Sequence, residues 1–369
     1  MSSGVVIILT GMLVSSACAL LGCFLVLRRM AMLTDAISHA ILPGLVAGYA
    51  LARGPNLLVG FLGAAAAGLV TVGLVELLKN TKRVGGESAI GIVFPAMFAL
   101  GTFLVSKYFA DLHLDADAIL YGNIEFSSLE TLIIGGYDLG PQSLWIMGTL
   151  CVVNFGFVAL FYKELKLATF DAGLAATLGF SPILIHYALM AVVSFTTVGA
   201  FTAVGAILVV ALMVVPAATA YLLTDRLPVM IVLSVLIGAV AAASGYFLAV
   251  ALDGSVAGAM ATMTGVLFSV ALLFSPSQGL VAKARRQVRQ RVQFAADTLV
   301  VHLMQHEGTS AAASESHVAH LSGELRWDQL FAEKVIGQAV RHHLIERSGD
   351  SLLLTGEGRQ RASDAIALR

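Results

Sequence analysis

Charge is scarce in this sequence: Asp, Glu, Lys and Arg make up 12% of 369 residues, while 58% are hydrophobic. With a mean hydropathy of +0.88, the chain is too apolar for a water-soluble globule and reads as a polytopic membrane protein. Cysteine is nearly absent. Cys18, Cys23 and Cys151 lie inside apolar runs without a CxxC pair, which argues against a disulfide framework or a thiolate metal centre. No GxxxxGK[ST] phosphate loop occurs, so the chain does not cradle ATP through that motif. The N-terminus lacks a basic n-region and an evident cleavage site, so the first apolar run is expected to remain as a helix.

What is abundant is long apolar runs and small residues. Glycine, at 36 residues, suits close helix packing in lipid. A span needs about 20 apolar residues. Nine runs qualify or nearly so, at about 4–27, 33–52, 56–78, 88–107, 142–162, 183–200, 202–223, 228–250 and 257–275. The expected fold is therefore an all-α membrane protein with eight or nine transmembrane helices, eight if one run is re-entrant. Short breaks such as Arg53-Gly54-Pro55-Asn56 and Arg226-Leu227-Pro228 separate the runs.

If the spans alternate, Arg28, Arg29, Lys79, Lys82, Arg83, Lys163, Lys166 and Arg226 share one side, leaving Arg53 and Lys107 on the other. The positive-inside bias assigns the eight to the cytoplasm and the N-terminus to the outside. The stretch 108–140 is then external, with Asp111, Asp115, Asp117, Glu125, Glu130 and Asp138 against no Lys or Arg. Such an acidic rim attracts cations or basic docking residues. His113 with Asp115 and Asp117 is either a first metal stop or a solvated loop. Glu76 is expected at a helix end, Glu87 as a cap of the fourth span, and His186 as an interfacial or packed histidine.

The chain is organised around Leu33–Gly44, LTDAISHAILPG. Asp35 and His39 are four residues apart, hence on one helix face. Ionisable groups are costly in a bilayer and usually face a cavity or pathway. A carboxylate oxygen and an imidazole nitrogen suit Mn²⁺, Fe²⁺ or Zn²⁺. Two ligands are too few for storage but serve a site the ion must also leave. On spacing alone, a capping carboxylate and a packed core histidine fit equally well.

A second stretch is Leu165–Pro182, LKLATFDAGLAATLGFSP. Thr169 or Asp171 is positioned to cap a short helix through Leu174, Ala175 and Leu178, closed by Gly179 and Pro182. Too short to span, it can lie flat and offer Phe170, Leu174, Leu178 and Phe180 to a partner, or be an ordinary interfacial helix. A third, Phe195–Thr219, combines spaced glycines with Pro216, which can kink a helix in a pore wall.

RRMAMLTDAISHAILPG, FDAGLAATLG and the run from Val204-Gly205 to Pro216-Ala217-Ala218-Thr219-Ala220 resemble, in order, segments of the ABC-3 family of metal permeases. The resemblance covers about residues 5–280. It implies an importer permease for manganese, zinc or iron in the bacterial inner membrane, with Asp35 and His39 as the transmembrane cation site. It implies that the loop of Phe170, Asp171, Leu174, Leu178, Gly179 and Phe180 docks into a separate ATPase subunit. Further implied partners are an extracytoplasmic metal-binding protein and a second permease, identical or paralogous. No cofactor is expected to be bound permanently; the metal is cargo, and no enzymatic step is expected of this chain. A different reading is a proton-coupled or channel-type metal transporter working without an ATPase.

Beyond residue 280 the character changes. Lys283, Arg285, Arg286, Arg289 and Arg291 form a basic linker, 281–291, suited to anionic lipid at the inner leaflet. From 292 to 369 a small cytoplasmic α+β domain is expected, with helical periodicity over Phe294–Met304 and Leu330–Leu344 and a hairpin turning at Gly349-Asp350. Helix, helix, hairpin and a closing LTxxGxxxA helix resemble the winged-helix fold of metal-dependent repressors. The resemblance suggests DNA binding, but from 292 onward there are 7 Lys/Arg against 10 Asp/Glu. A DNA binder needs a positive face, so DNA is not expected as a partner and a regulatory or interaction role is. His302 and His306, with Glu307 beside them, are either a metal sensor or exposed polar residues on an amphipathic helix.

Overall fold

The computed structural model describes residues 2–52, 56–108, 124–134, 137–276, 278–309, 314, 316–318, 320 and 325–367. The chain divides into two compact units, Met1–Gly279 and Leu280–Arg369.

Among the described residues of the first unit, nine helical segments are long and apolar enough to cross a membrane, as the nine runs lead one to expect. In order the helices are α1 (Ser3–Leu27), α2 (Met32–His39), α3 (Ile41–Ala52), α4 (Leu57–Asn80), α5 (Gly86–Tyr108) and α6 (Gln142–Leu160), then two short ones, α7 (Tyr162–Phe170) and α8 (Ala172–Thr177), and finally α9 (Pro182–Val204), α10 (Ala206–Leu223), α11 (Leu227–Leu252) and α12 (Val256–Phe274). The second span is two pieces, α2 and α3, meeting at Ala40. Pro43 has no N–H to offer the His39 carbonyl four residues back, and its ring crowds that carbonyl. The break therefore falls immediately after His39.

Packing follows the small residues. A side chain on Gly44 would run into the Gly63 carbonyl of α4, and one on Gly48 into the Val59 carbonyl, so α3 and α4 lie backbone to backbone. The most enclosed helix is α1, which packs against α6, α9, α10 and α11. At its centre the buried Asn154 of α6 donates to the Ala17 carbonyl (3.0 Å) and exchanges hydrogen bonds with Thr196 of α9 (2.9 and 3.1 Å). Large apolar side chains such as Val152, Phe155, Phe247 and Phe274 stand outward, as a surface meeting lipid requires.

Between α5 and α6 the chain contains a 3-10 turn, Ile124–Phe126, and an antiparallel pair, β1 (Thr131–Ile134) and β2 (Tyr137–Pro141). Glu125 Oε1 accepts the Val256 N–H at the start of α12 (3.0 Å), a carboxylate on the positive end of a helix. His113, Asp115 and Asp117 lie outside the described residues.

The second unit contains α13 (Leu280–His306), α14 (Gln329–Arg341), the antiparallel pair β3 (Ile345–Ser348) and β4 (Ser351–Leu354), and α15 (Gly356–Ala367). Residues 281–291 are the first turns of α13 and are helical. Leu299, Val300, Val335, Ile336, Ile345 and Leu352 form the core. Among the described residues, three exposed ion pairs fasten its surface: Arg347–Glu333, Arg359–Glu307 and Arg361–Asp297.

Candidate functional site

The helix α2 has one outward stripe. Leu33, Thr34, Ala36, Ile37 and Ser38 are buried, whereas Met32 is exposed and Asp35 and His39 are half-buried, at i, i+3 and i+7 on the same face. Asp35 lies in the first turn and His39 in the last, each at the end of the helix dipole that favours its charge. Neither bland reading of the pair holds. The N-cap of α2 is Ala31 with no side-chain cap bond, so Asp35 is not a cap. The His39 side chain is 26% exposed and that of Asp35 41%, so the histidine is not core.

His39 Nε2 and Asp35 Oδ1 are 3.6 Å apart, too far for a good hydrogen bond. The two atoms are close enough for one ion to reach both with bonds of about 2.1 Å. Edges of Phe94 and Phe98, one turn apart on α5, meet the His39 ring with centroids at 4.7 and 5.4 Å and fix its plane. Sequence reasoning missed these two aromatics, because an i, i+4 Phe pair on an apolar helix resembles ordinary packing. Among the described residues, no group of three or more His, Cys, Asp or Glu side chains is arranged to hold a metal.

The second candidate region is the α7–α8 loop. Asp171 caps α8, its Oδ1 accepting the Leu174 N–H at 2.9 Å. Gly179, at φ +88°, ends it, with its own N–H on the Ala176 carbonyl and that of Phe180 on the Ala175 carbonyl. Phe170, Leu174 and Leu178 are exposed at 61%, 47% and 58%, and Phe180 is half-buried. Three large apolar side chains thus stand free along the loop, Phe170 at the end of α7, Leu174 in α8 and Leu178 just after it, while Ala175 anchors α8 inward.

Thr169 is not the cap; its hydroxyl bonds the Leu165 carbonyl (2.6 Å) and accepts from Arg28 Nε (3.0 Å). Arg28 closes α1, and Nη1 reaches His186 Nδ1 in α9 (3.4 Å). Because arginine only donates, Nδ1 accepts and the His186 proton falls on Nε2, which lies 3.4 Å from Glu76 Oε1 of α4. Lys79 donates to the same oxygen at 3.4 Å. Burial pushes the Arg28 guanidinium down from its ordinary value, yet that value starts far above neutrality and the group stays charged. His186 is therefore packed, as expected, but within a polar network. In α13 the rings of His302 and His306 are 4.8 Å apart; His302 is buried, and Glu307 is occupied by Arg359.

Comparison with known proteins adds to this geometry. Residues 5–275 match the ABC 3 transport family. The chain is 47% identical over 352 residues to the zinc transport system membrane protein TroD of Treponema pallidum, covering 95% of this chain and 96% of that one. That match is longer than the first unit, so it extends into the second. Similarity to the manganese transport system membrane protein MntD of Bacillus subtilis is 46% over 285 residues, covering 77% and 96%. Among solved structures, PsaBC from Streptococcus pneumoniae in complex with Fab superposes with a TM-score of 0.62 at 29% identity, over 74% of this chain and 92% of that one.

Proposed function

The chain belongs to the ABC 3 transport family and is a membrane-spanning permease subunit of an ATP-binding-cassette importer for divalent transition metals, Mn²⁺, Zn²⁺ or Fe²⁺; from that premise we propose how it passes an ion. Asp35 and His39 touch the metal in transit. Their carboxylate and imidazole replace part of its hydration shell, and having only two such groups per chain keeps the stop weak enough to leave. The open α2 face supports a path formed between two permease subunits, where a second copy or a paralogue brings further ligands opposite this pair. Selection among the three metals rests on that completed geometry.

The ATPase is a separate subunit. It docks on the α7–α8 loop, where Phe170, Leu174, Leu178 and Phe180 enter an apolar groove while Asp171 and Gly179 hold the ends of α8. An extracytoplasmic metal-binding protein delivers the ion. The side carrying Arg28, Arg29, Lys79, Lys82, Lys163 and Lys166 faces the cytoplasm of a bacterial inner membrane. The second unit lies on that side as a winged-helix-like domain, its basic first turns near anionic lipid, in a regulatory or interaction role and not on DNA.

The observation that carries this reading is the 3.6 Å approach of Nε2 to Oδ1 on an exposed face. Metal uptake by the reconstituted complex of permease, ATPase and binding protein tests it. Asp35→Ala and His39→Ala complexes assemble but lose transport; normal uptake by both refutes the assignment.

A further inference from the structure

The docking loop and the Asp35–His39 helix share a fastening. Arg28 ends α1, and seven residues later comes Asp35. The intervening turn is tight: Arg29 N–H bonds the Val26 carbonyl (3.0 Å) and Met30 N–H the Leu25 carbonyl (2.9 Å), with Arg29 at φ 57°. This closure normally uses glycine, and a branched-off Cβ in that conformation costs about 1 kcal/mol. The junction is therefore short and stiff, a poor absorber of motion. Whatever displaces Arg28 displaces the start of α2.

Arg28 in turn is gripped by both flanks of the loop. Thr169, two residues before the α8 cap, takes Nε at 3.0 Å. His186, on the first turns of α9 after the loop, takes Nη1 at 3.4 Å, and its Nε2 lies 3.4 Å from Glu76 Oε1 of α4. A long flexible side chain half-buried among four helices loses rotamer entropy and hydration. Simple stability would be served as well by apolar packing there. The fork of a guanidinium, by contrast, can hold two partners at fixed mutual orientation.

We infer that Arg28 is a positioning residue that ties both flanks of the docking loop, through Thr169 and His186, to the start of α2, so that movement of the loop reaches Asp35 and His39 as a rigid displacement. The inference rests on the docking reading of α8 given above. In its terms the ATPase pushes on Phe170 and Leu174, α7 and the first turns of α9 shift together, and Arg28 carries the shift into α2. Glu76, held by Lys79, keeps His186 facing Arg28.

The complete importer, reconstituted with its ATPase and metal-loaded binding protein, tests this with three readouts: ATPase co-purification, ATP hydrolysis with and without the loaded binding protein, and Mn²⁺ uptake. Arg28→Met is expected to keep the ATPase bound and its unstimulated hydrolysis within about 2-fold, while uptake and stimulated hydrolysis fall by about 10-fold or more, the step that 1.4 kcal/mol of lost coupling gives. Arg28→Lys, which keeps charge but loses the fork, recovers only part; Glu76→Gln gives a milder version of the same split. Coupled uptake at the wild-type rate in Arg28→Met overturns the inference. So does loss of assembly in Arg28→Met accompanied by full coupling in Arg28→Lys and Glu76→Gln, which assigns Arg28 to stability alone. Phe170→Ala with Leu174→Ala separates the two layers: if that double variant retains the ATPase, the docking reading fails, whatever Arg28 does.

Discussion

The two polar clusters of the membrane unit are built in opposite ways. Asp35 and His39 lie on an open face, 3.6 Å apart, with the imidazole steered by two aromatic edges. Arg28, Thr169, His186 and Glu76 come from four helices and are cross-tied inside the protein. In lipid, every polar group needs a reason to be there. On the proposed reading the first cluster offers an ion only two ligands, which suits a site that must release it. The second joins four helices through one guanidinium, as the proposed transmission of loop movement requires. Charge-poor composition makes the contrast legible, because few other ionisable groups compete.

The largest effect expected from disturbing this contrast is at the open pair. Asp35→Ala or His39→Ala should lower metal uptake by about 100-fold in an assembled importer, the two decades that ~2.8 kcal/mol of lost ion stabilisation gives; isotope uptake into proteoliposomes measures it. Next come the docking side chains. Phe170→Ala with Leu174→Ala removes two large apolar contacts worth about 1.5–3 kcal/mol each when buried, so ATPase recovered with the permease should drop at least about 10-fold in a pull-down.

A smaller change sharpens the comparison from the other direction. Phe98→Leu keeps an apolar wall but frees one edge of the His39 ring, so the apparent KM for metal should rise by about 3-fold with turnover retained, the signature of weakened uniform binding. Equal loss of turnover would show that Phe98 gates passage and does not merely orient the ring.

How much of this was readable beforehand depended on the range of the interaction. The nine runs, the Asp35–His39 spacing and the Asp171 cap are local patterns, and local periodicity carries them. The break after His39 was present as ILPG, but a 20-residue apolar run reads as one helix unless Pro43 is given its hydrogen-bond consequence. The β1–β2 pair was hidden because the stretch drew attention for its acids; TLIIGGYDLG, two apolar segments around Gly-Gly, is a hairpin signal. Arg28, Glu76 and His186 are 48 to 158 positions apart, and no pattern along the chain announces that they meet.

The second unit offers a third kind of polar contact, exposed and replaceable, and gives the smallest predicted effect. The Arg359 hydrogen bonds hold the Glu307 carboxyl below its ordinary value of 4.5. A carboxyl depressed in the folded state stabilises above the unfolded value and loses that contribution as pH falls through the folded one. Glu307→Gln should therefore remove a small contribution present at neutral pH, and with it the slight loss of protection that the wild type shows below about pH 4.5 in hydrogen exchange of α13 and α15.

Pulsed electron paramagnetic resonance of Mn²⁺ trapped in the assembled, binding-protein-loaded importer tests the central claim most directly, since it reads the nitrogen bound to the ion. Imidazole nitrogen modulation on Mn²⁺ in the wild type, lost in His39→Ala with the complex intact, is the predicted result. The same modulation persisting in His39→Ala would contradict it.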